Sequence, residues 1–322
     1  MFNTFQHLFN GRLEQYLKNT ALKNPQSLYE AESYMLQLGG KRIRPYLVYL
    51  GACAANGNQA YAMDAALCVE VFHNFSLIHD DWLDQSQLRR GQATVHNKWN
   101  APQSILTGDV MFANSFALLQ SYPDSICGAL SKILSKTASE VCEGQQLDLD
   151  FEQTAQVTEA DYLHMIRLKT AVLLGCSLQL GVITAGGKME LQHELYHFGV
   201  DTGIAFQILD DYLDAFAETT GPFGKTIGGD IIGGKKTLLW IYSNSKKEMP
   251  KLKLESHAPH FNSEKIKLHR AWYNETGATK HCLETVSKYH KQAQLRLQNL
   301  EMDAAVKNAL NTLLLELEQR MV

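Results

Sequence analysis

Two short stretches of the sequence carry aspartates in the same Asp-Asp-x-x-Asp arrangement, each after an apolar lead-in. If these stretches are helical, the first and last aspartates of each lie on one face, and like charges at that spacing cost a helix about 0.2–0.5 kcal/mol. A single cluster would be typical of a solvated acidic helix end. Two copies of an unfavourable arrangement instead predict two facing walls of one metal-binding site. The six residues are Asp80, Asp81 and Asp84 in the first stretch and Asp210, Asp211 and Asp214 in the second.

The type of ligand in these walls indicates which ion and which substrate group they bind. Oxygen-only ligands suit a hard cation, and Mg²⁺ is usually held by one or two carboxylates together with phosphate oxygens of a substrate. Arg89 and Arg90 follow the first stretch, and arginine is a frequent bidentate partner of phosphate. A second basic motif, Gly-Gly-Lys-Arg-Ile-Arg-Pro, runs from Gly39 to Pro45. We therefore predict a site for Mg²⁺ and a diphosphate.

Another stretch, from His193 to His197, matches the H-E-x-x-H zinc motif. Spacing of this kind arises by chance, and the stretch leads directly into the segment that carries Asp210. We interpret it as an ordinary, partly exposed helix rather than as the zinc site of a protease.

Composition excludes several classes of function. The 322-residue chain is 45% hydrophobic and 20% charged with a net charge of −4, which gives no indication of binding to nucleic acid or to an anionic membrane surface. The six cysteines show no C-x-x-C spacing, a pattern typical of reduced thiols, and the N-terminal segment lacks the basic and apolar regions of a secretory signal. We expect a cytoplasmic protein.

The longest uncharged run extends from Thr170 to Gly187 and approaches the length of a membrane span. It contains Ser177, Gln179 and several glycines, which favour a buried core helix. We therefore expect a chain that does not span a membrane.

Helices must position these motifs, because apolar residues recur at intervals of three and four and no strong period-two pattern is present. We predict an all-α fold, a single domain over residues 1–322 with one core and with the polar motifs at helix ends. The clearest predicted loop is Thr219–Gly234, and Thr158 is a predicted N-cap. After an amphipathic segment that includes Phe2 and Tyr16, the predicted helical stretches are Leu28–Leu38, Tyr46–Asn56, Ala60–Asp84, Ile105–Tyr122, Ala129–Leu149, Ala160–Ala185 (one helix or a pair), Leu191–Phe216, Lys236–Tyr242 and about Glu264–Arg320.

In this order the motifs resemble one family, the trans-isoprenyl diphosphate synthases, also called polyprenyl synthetases. The resemblance implies the isoprenoid synthase fold, a helical bundle around a central cavity, with Mg²⁺ as cofactor and a homodimeric assembly. It also implies a short-chain transferase of the farnesyl or geranylgeranyl diphosphate synthase type. Such an enzyme joins isopentenyl diphosphate head to tail with an allylic diphosphate (dimethylallyl, geranyl or farnesyl). The resemblance runs from Gly39 to about Thr237 and includes Gly144 to Asp148, Lys169-Thr170 and Phe206-Gln207.

The same resemblance implies a role for each motif residue. Isopentenyl diphosphate would be bound by Lys41, Arg44, His73 and Arg90. The allylic diphosphate would be bound by Arg89, Lys169, Gln207, Lys225 and Lys235. Lys169, Thr170 and Gln207 would be the catalytic residues, as dipoles beside the allylic cation, and the six aspartates would hold Mg²⁺.

Product length would depend on the depth of an apolar tunnel below the aspartates. Phe75 and Ser76 lie five and four residues before Asp80, about one helical turn below the metal site. A bulky aromatic at the first of these positions implies a floor that stops elongation at C15 or C20.

Two other functions would use part of the same machinery. A class I terpene cyclase needs one intact aspartate motif and no isopentenyl site, so Lys41, Arg44, His73 and Arg90 argue against it. A non-catalytic subunit of a heteromeric synthase could lose an aspartate motif, and here both are complete. For the implied homodimer, the sequence offers amphipathic surface in Tyr46–Asn56 and Ile105–Tyr122.

Overall fold

A computed structural model describes residues 1–216, 228–250 and 260–318 of the chain. The described part is almost entirely helical, as predicted. Besides the helices it contains two short strands, β1 (Leu88–Arg89) and β2 (Gln92–Ala93), and a π-helical turn, Arg167–Ala171. The helices in chain order are α1 Phe2–Thr20, α2 Gln26–Gln37, α3 Ile43–Ala54, α4 Met63–Leu83, α5 Val95–Lys98, α6 Ala101–Leu119, α7 Asp124–Gln153, α8 Glu159–Ile166, α9 Val172–Thr184, α10 Met189–Phe216, α11 Gly229–Gly233, α12 Leu238–Lys246, α13 Phe261–Thr276, α14 Ala278–Asn299 and α15 Ala304–Glu318.

The central helices α3 and α9 pack so closely that backbone meets backbone. A Cβ on Gly51 of α3 would overlap the carbonyl oxygen of Leu178, and a Cβ on Gly181 of α9 would overlap that of Val48. Glycine at these two positions lets the helix axes approach, which places both helices inside the bundle. Residues Pro45–Ala54 are all buried within the chain. We expected an amphipathic surface on Tyr46–Asn56. This expectation is wrong, because the helix is apolar on all sides and forms part of the core.

One continuous segment, Glu159–Thr184, is long and apolar enough to cross a membrane by length and composition alone. It comprises α8, the π-helical turn and α9. Inside the protein 78% of its most apolar window is buried, as a core helix requires. That the chain does not span a membrane stays a prediction.

Buried apolar residues form two clusters in the described part of the chain rather than the single predicted core. One cluster joins α1 to α7 with α9, α15, the first half of α10 and the end of α14, and the other joins α8, the second half of α10, α11 to α13 and the start of α14. Leu147 of α7 packs against both clusters. The π-helical turn is divided between them, with Leu168 in the first and Ala171 in the second. Lys169 and Thr170 of this turn therefore lie where the two clusters meet.

Three features of the structure differ from the predicted helices and loop. Strands β1 and β2 form an antiparallel hairpin. Arg90 and Gly91 at its tip both have left-handed φ angles (55° and 76°), as a two-residue hairpin turn requires. Positive φ is uncommon for a residue with a Cβ, so the conformation of Arg90 could not be predicted from its residue type. The predicted loop Thr219–Gly234 contains helix α11, and the predicted C-terminal helix is divided among α13, α14 and α15.

The predicted start of α8 is confirmed in atomic detail. Thr158 Oγ1 accepts a hydrogen bond from the Asp161 backbone N–H, and the Asp161 side chain accepts one from the Thr158 N–H. This reciprocal capping box satisfies two donors at the start of the helix. It also fixes the point at which the chain enters the segment that carries Lys169.

Candidate active site

The first aspartate wall lies at the C-terminal end of α4. Asp81 is buried and pairs with Arg89, which donates from Nη2 to Oδ1 at 2.5 Å and from Nε at 3.0 Å. Burial raises the pKa of Asp81, although the arginine partly opposes this effect. Arg89 reaches Asp81 because the β1–β2 hairpin folds back toward the end of α4. Trp82, between the aspartates, turns toward His96, with ring centroids 5.4 Å apart.

Two lysines link this wall to the C-terminal part of α7. Lys169 Nζ lies 2.6 Å from Asp148 Oδ2 and 3.2 Å from Asp80 Oδ1. Lys235 Nζ lies 3.5 Å from Asp84 Oδ2 and 3.8 Å from Asp148 Oδ2. Burial opposes the charge on both lysines, but the surrounding carboxylates outweigh it and raise both pKa values. Asp148 therefore pairs with two lysine ammonium groups beside the first aspartate wall.

Close packing of α7 against the π-helical turn creates this arrangement. A Cβ on Gly144 would overlap the Lys169 backbone nitrogen, so only glycine lets the two segments approach. Asp148 lies four residues farther along α7, on the same face as Gly144. π-Helical turns often occur at functional sites, and this one presents both Lys169 and Thr170.

The second wall lies at the C-terminal end of α10. Asp211 is buried and accepts hydrogen bonds from Tyr162 (2.6 Å) and from the Gln207 amide (2.8 Å). Burial and the neighbouring carboxylate of Asp230 raise the pKa of Asp211 to about 8. Asp214 accepts a hydrogen bond from the Asp230 backbone N–H at 2.9 Å. A cation bound at this wall would favour the ionised form of Asp211 and lower its pKa.

Thr170 and Gln207 connect the π-helical turn to this wall. Thr170 Oγ1 donates to Gln207 Oε1 at 3.0 Å, and Gln207 in turn donates to Asp211. The hydroxyl hydrogen of Thr170 takes part in the hydrogen bond to Gln207, and the lone pairs of the hydroxyl oxygen remain available. A hydroxyl oriented in this way can face a developing positive charge.

A basic cluster lies beside the first wall, between α3, α4 and the hairpin. Arg44 Nη1 lies 3.1 Å from His73 Nε2, and Arg90 donates from Nη1 to the Gly39 carbonyl. Burial, opposed by Glu70 and reinforced by Arg90, lowers the pKa of Arg44 to about 10. Burial and the neighbouring arginines hold the pKa of His73 well below its usual range. Arg44 Nε is buried and has no hydrogen-bond partner within the described ranges. A cluster of this kind fits a bound anion.

The structure brings together most of the residues predicted for the site. Lys41 is exposed on the loop before α3, at the edge of the basic cluster. Lys225 lies outside the described residues. The roles of all these residues stay predictions, because their placement shows proximity and not function.

The predicted floor residues lie on α4, one turn below Asp80. Phe75 is buried and makes edge-to-face contacts with Phe72 (4.7 Å between centroids) and with Phe112 of α6 (5.2 Å). Ser76 donates to the His73 carbonyl at 2.8 Å. Phe75 thus belongs to an aromatic layer between α4 and α6 that could limit the depth of a tunnel.

The chemistry of the aspartate walls fits a hard cation. Their donors are oxygens, and the buried Asp80 Oδ1 makes no hydrogen bond to the described part of the chain, although Lys169 lies 3.2 Å from it. No three ligating side chains among residues 1–216, 228–250 and 260–318 converge into a ready-made metal site. Lys169, Lys235 and Arg89 instead neutralise the carboxylates.

Two supporting residues were missing from the sequence predictions. Tyr162 holds Asp211 across 49 positions of sequence, and no local pattern marks such a contact. Glu70 is buried in α4 and accepts hydrogen bonds from Arg42 and from Asn74. A single charge inside the apolar run before Phe72 was the available signal, because buried carboxylates are normally paired.

Comparison with known proteins agrees with this geometry. The polyprenyl synthetase family model matches residues 25–274. A geranylgeranyl pyrophosphate synthase from Geoglobus acetivorans is 40% identical over 73% of this chain and 72% of its own length. A geranylfarnesyl diphosphate synthase from Aeropyrum pernix is 32% identical over 94% of this chain and 97% of its own.

Solved structures extend the similarity to the whole fold. A crystal structure of a geranylgeranyl pyrophosphate synthase superposes with a TM-score of 0.91 and 39% identity, and covers 97% of this chain and 98% of its own. The geranylgeranyl pyrophosphate synthase from Corynebacterium glutamicum, solved with isoprenyl diphosphate and magnesium, has a TM-score of 0.86 and 26% identity, with 98% of each chain covered. The predicted isoprenoid synthase fold is confirmed, and the chain belongs to the polyprenyl synthetase family.

Proposed function

We propose that this chain is a short-chain trans-prenyltransferase. It condenses isopentenyl diphosphate head to tail with an allylic diphosphate and releases pyrophosphate. The observation that carries the proposal is the set of contacts around Lys169 and Thr170: Lys169 pairs with Asp80 of the first wall, and Thr170 reaches Asp211 of the second wall through Gln207. The basic cluster joins the first wall through the hairpin, where Arg89, next to Arg90, pairs with Asp81. One anion site for each of two diphosphates is what a condensation of two diphosphates requires.

The allylic diphosphate would bind at the aspartate walls. Mg²⁺, when bound by the six aspartates, supplies positive charge that stabilises the leaving diphosphate. Lys169, Lys235 and Arg89 pair with carboxylates in the structure and would exchange these partners for phosphate oxygens. Because each of these side chains contacts the first wall, they would reach the diphosphate without a change in backbone. Lys225 would be a further contact.

Isopentenyl diphosphate would bind at the basic cluster. Arg44 has a buried N–H aimed at no acceptor in the described chain, and Arg90 is held in place by the Gly39 carbonyl. His73, neutral and close to Arg44, would donate from its protonated ring nitrogen. Lys41 would cover the cluster from the solvent side.

The allylic cation would form next to the Thr170 hydroxyl and the Gln207 amide. Both are neutral dipoles, which stabilise positive charge without trapping it as a nucleophilic carboxylate would. Water must be excluded from this point, since it would capture the cation. The released pyrophosphate is the available base for the final proton, because no side chain is an obvious candidate.

A product of C15–C25 is supported by the relatives, and C20 is the main product that we propose. The related enzymes are named for C20 and C25 chains. The aromatic layer around Phe75 supports the shorter end of this range.

Product analysis tests the proposal directly. Purified protein is incubated with Mg²⁺, isopentenyl diphosphate and dimethylallyl, geranyl or farnesyl diphosphate in turn, and the dephosphorylated products are sized. Linear alcohols of C15 to C25 are expected. Cyclic hydrocarbons would indicate a terpene cyclase, and no product with any primer would indicate a non-catalytic subunit.

We also propose a cytoplasmic homodimer. All six cysteines are free, which supports a reducing compartment. Helix α6 exposes Leu106 (57%), Ile105 (45%) and Phe112 (37%), and apolar side chains on one helix support a subunit contact. Light scattering should give twice the mass of one chain, and a monomer mass would contradict the assembly.

A further inference from the structure

Two histidines on the surface of α10 converge although the active site does not use them. His193 and His197 lie one turn apart, with ring centroids at 4.4 Å and the two Nε2 atoms 3.1 Å from each other. The thirteen residues from His197 to Asp210 span about 20 Å of helix, so the pair is separate from the aspartate walls.

The distance between the two nitrogens matches a pair of ligands on one metal ion. Imidazole nitrogens bind Zn²⁺ at about 2.0–2.1 Å. Two such ligands lie about 3.3 Å apart in a tetrahedral site and about 2.9 Å apart in a square-planar one. The observed 3.1 Å falls between these values. The two nitrogens share a hydrogen bond in the structure, and their separation leaves a position within about 2.0–2.1 Å of both at which one ion would replace that hydrogen.

A carboxylate supports the first of these ligands. His193 Nδ1 lies 3.3 Å from Glu194 Oε1, and a hydrogen bond donated by Nδ1–H to this oxygen would leave the Nε2 lone pair available to a metal ion. Metal-binding histidines usually donate their other N–H to a carboxylate in this way.

Glu194 is itself anchored to a neighbouring helix. Arg296 of α14 donates from Nη1 to Glu194 Oε2 at 3.2 Å and from Nε to Asp201 Oδ2 at 2.8 Å. The contacts that would orient the His193 ring are therefore already formed in the protein.

We propose that His193 and His197 bind one divalent transition-metal ion of the Zn²⁺, Ni²⁺ or Cu²⁺ class, with water completing its coordination. Imidazole ligands select these ions over Mg²⁺, which prefers the oxygens of the aspartate walls. The site is not that of a zinc protease, because Glu194 is held by Arg296 and no third ligating side chain of the described chain converges on the pair.

Calorimetric titration with Ni²⁺ in the presence of excess Mg²⁺ tests the site, since Mg²⁺ occupies the oxygen ligands. The wild-type protein should bind one Ni²⁺ at this pair, and its unfolding midpoint should rise with Ni²⁺ concentration. His193→Ala and His197→Ala should each lose this binding while circular dichroism shows an unchanged helical content. Glu194→Ala should weaken binding by about tenfold or more.

His7→Ala, which removes an exposed histidine from α1, is the matched control and should leave the titration unchanged. Retention of Ni²⁺ binding by both His193→Ala and His197→Ala would overturn the proposal. Absence of Ni²⁺ binding by the wild-type protein would overturn it equally. None of these results depends on prenyltransferase activity.

Discussion

Lys169 Nζ lies 3.2 Å from Asp80 Oδ1 and thereby ties the π-helical turn to the first aspartate wall. Burial opposes the charge on both groups, but the opposite charges around each together outweigh it, so the pKa of Lys169 is raised by Asp80 and Asp148 and that of Asp80 is lowered by Lys169, Lys235 and Arg89. The pair holds opposite charges at the point where a diphosphate and its metal ions would bind. Substrate binding can therefore proceed by exchange of ionic partners.

Replacement of an aspartate in either wall should abolish turnover and preserve the fold. Asp80→Ala and Asp210→Ala each remove oxygen ligands for Mg²⁺, and we expect kcat to fall by at least about a hundredfold. Initial rates with saturating Mg²⁺ measure the effect, and circular dichroism checks the fold. Asp109→Ala is the control, since this aspartate on α6 has a side chain that is 63% exposed and should leave kcat unchanged. Full activity in both wall variants would refute a site with two metal-binding walls.

Two glycines of α7 should respond to alanine in opposite directions. A Cβ at position 144 would overlap the backbone of Lys169, so Gly144→Ala should separate α7 from the π-helical turn and cost about 1–3 kcal/mol of unfolding free energy. A Cβ at position 128 meets nothing within 4 Å, so Gly128→Ala should add about 0.5–1 kcal/mol through helix propensity.

Urea unfolding measures both changes, and initial rates should fall only for Gly144→Ala, because Lys169 and Asp148 then lose their alignment. Equal stability changes in the two variants would show that the close approach of α7 is unimportant.

The helices and the aspartate walls were predictable because their signals are local. A charge repeated at i and i+4 is visible in the sequence, and so is the period of the apolar residues around it. The capping box of Thr158 and Asp161 was equally accessible, since both partners lie within one turn. The helical fold and the start of α8 are therefore confirmed, whereas the metal-binding role of the aspartates stays a prediction.

Features created by contact between segments could not be predicted. The left-handed φ of Arg90 depends on the hairpin around it, and the hydrogen bond from Tyr162 to Asp211 joins two helices distant in sequence. The burial of α3 on all sides depends on Gly51 and Gly181 meeting the opposite backbone. Each of these is a property of packing, for which a single sequence carries no periodic signal.

The contribution of Glu32 to the stability of the protein should decrease as pH rises. This carboxyl of α2 is buried and accepts hydrogen bonds from Tyr16 and Asn114. Burial raises its pKa, although both hydrogen bonds partly oppose this effect. The folded state therefore keeps the proton to a higher pH than the unfolded state. The stabilising effect of this retained proton is complete below the ordinary pKa of glutamate. It is lost as pH rises toward the pKa of Glu32 in the folded state, and the unfolding free energy falls by about 1.4 kcal/mol per pH unit in this range.

Glu32→Gln removes this titration, so its unfolding free energy relative to the wild type should increase as pH rises from 4.5 toward neutrality. Urea unfolding at several pH values provides the comparison. Glu30→Gln alters an exposed carboxyl on the same helix and should follow the wild-type profile. Parallel pH profiles for wild type and Glu32→Gln would contradict the prediction.

Removal of the Phe75 ring should lengthen the product by one or more C5 units. Phe75 contacts Phe72 and Phe112 edge to face, and its loss would open space in the aromatic layer one turn below Asp80. Product sizing after incubation of Phe75→Ala with farnesyl and isopentenyl diphosphates measures the change. Phe9→Ala is the matched control, because it also deletes a fully buried phenyl ring but from α1. Both variants should lose about 3–5 kcal/mol of unfolding free energy, so both are assayed well below their unfolding temperatures. A longer product from Phe75→Ala alone assigns the limit to the ring at this position, whereas an unchanged product places the floor of the tunnel on other side chains.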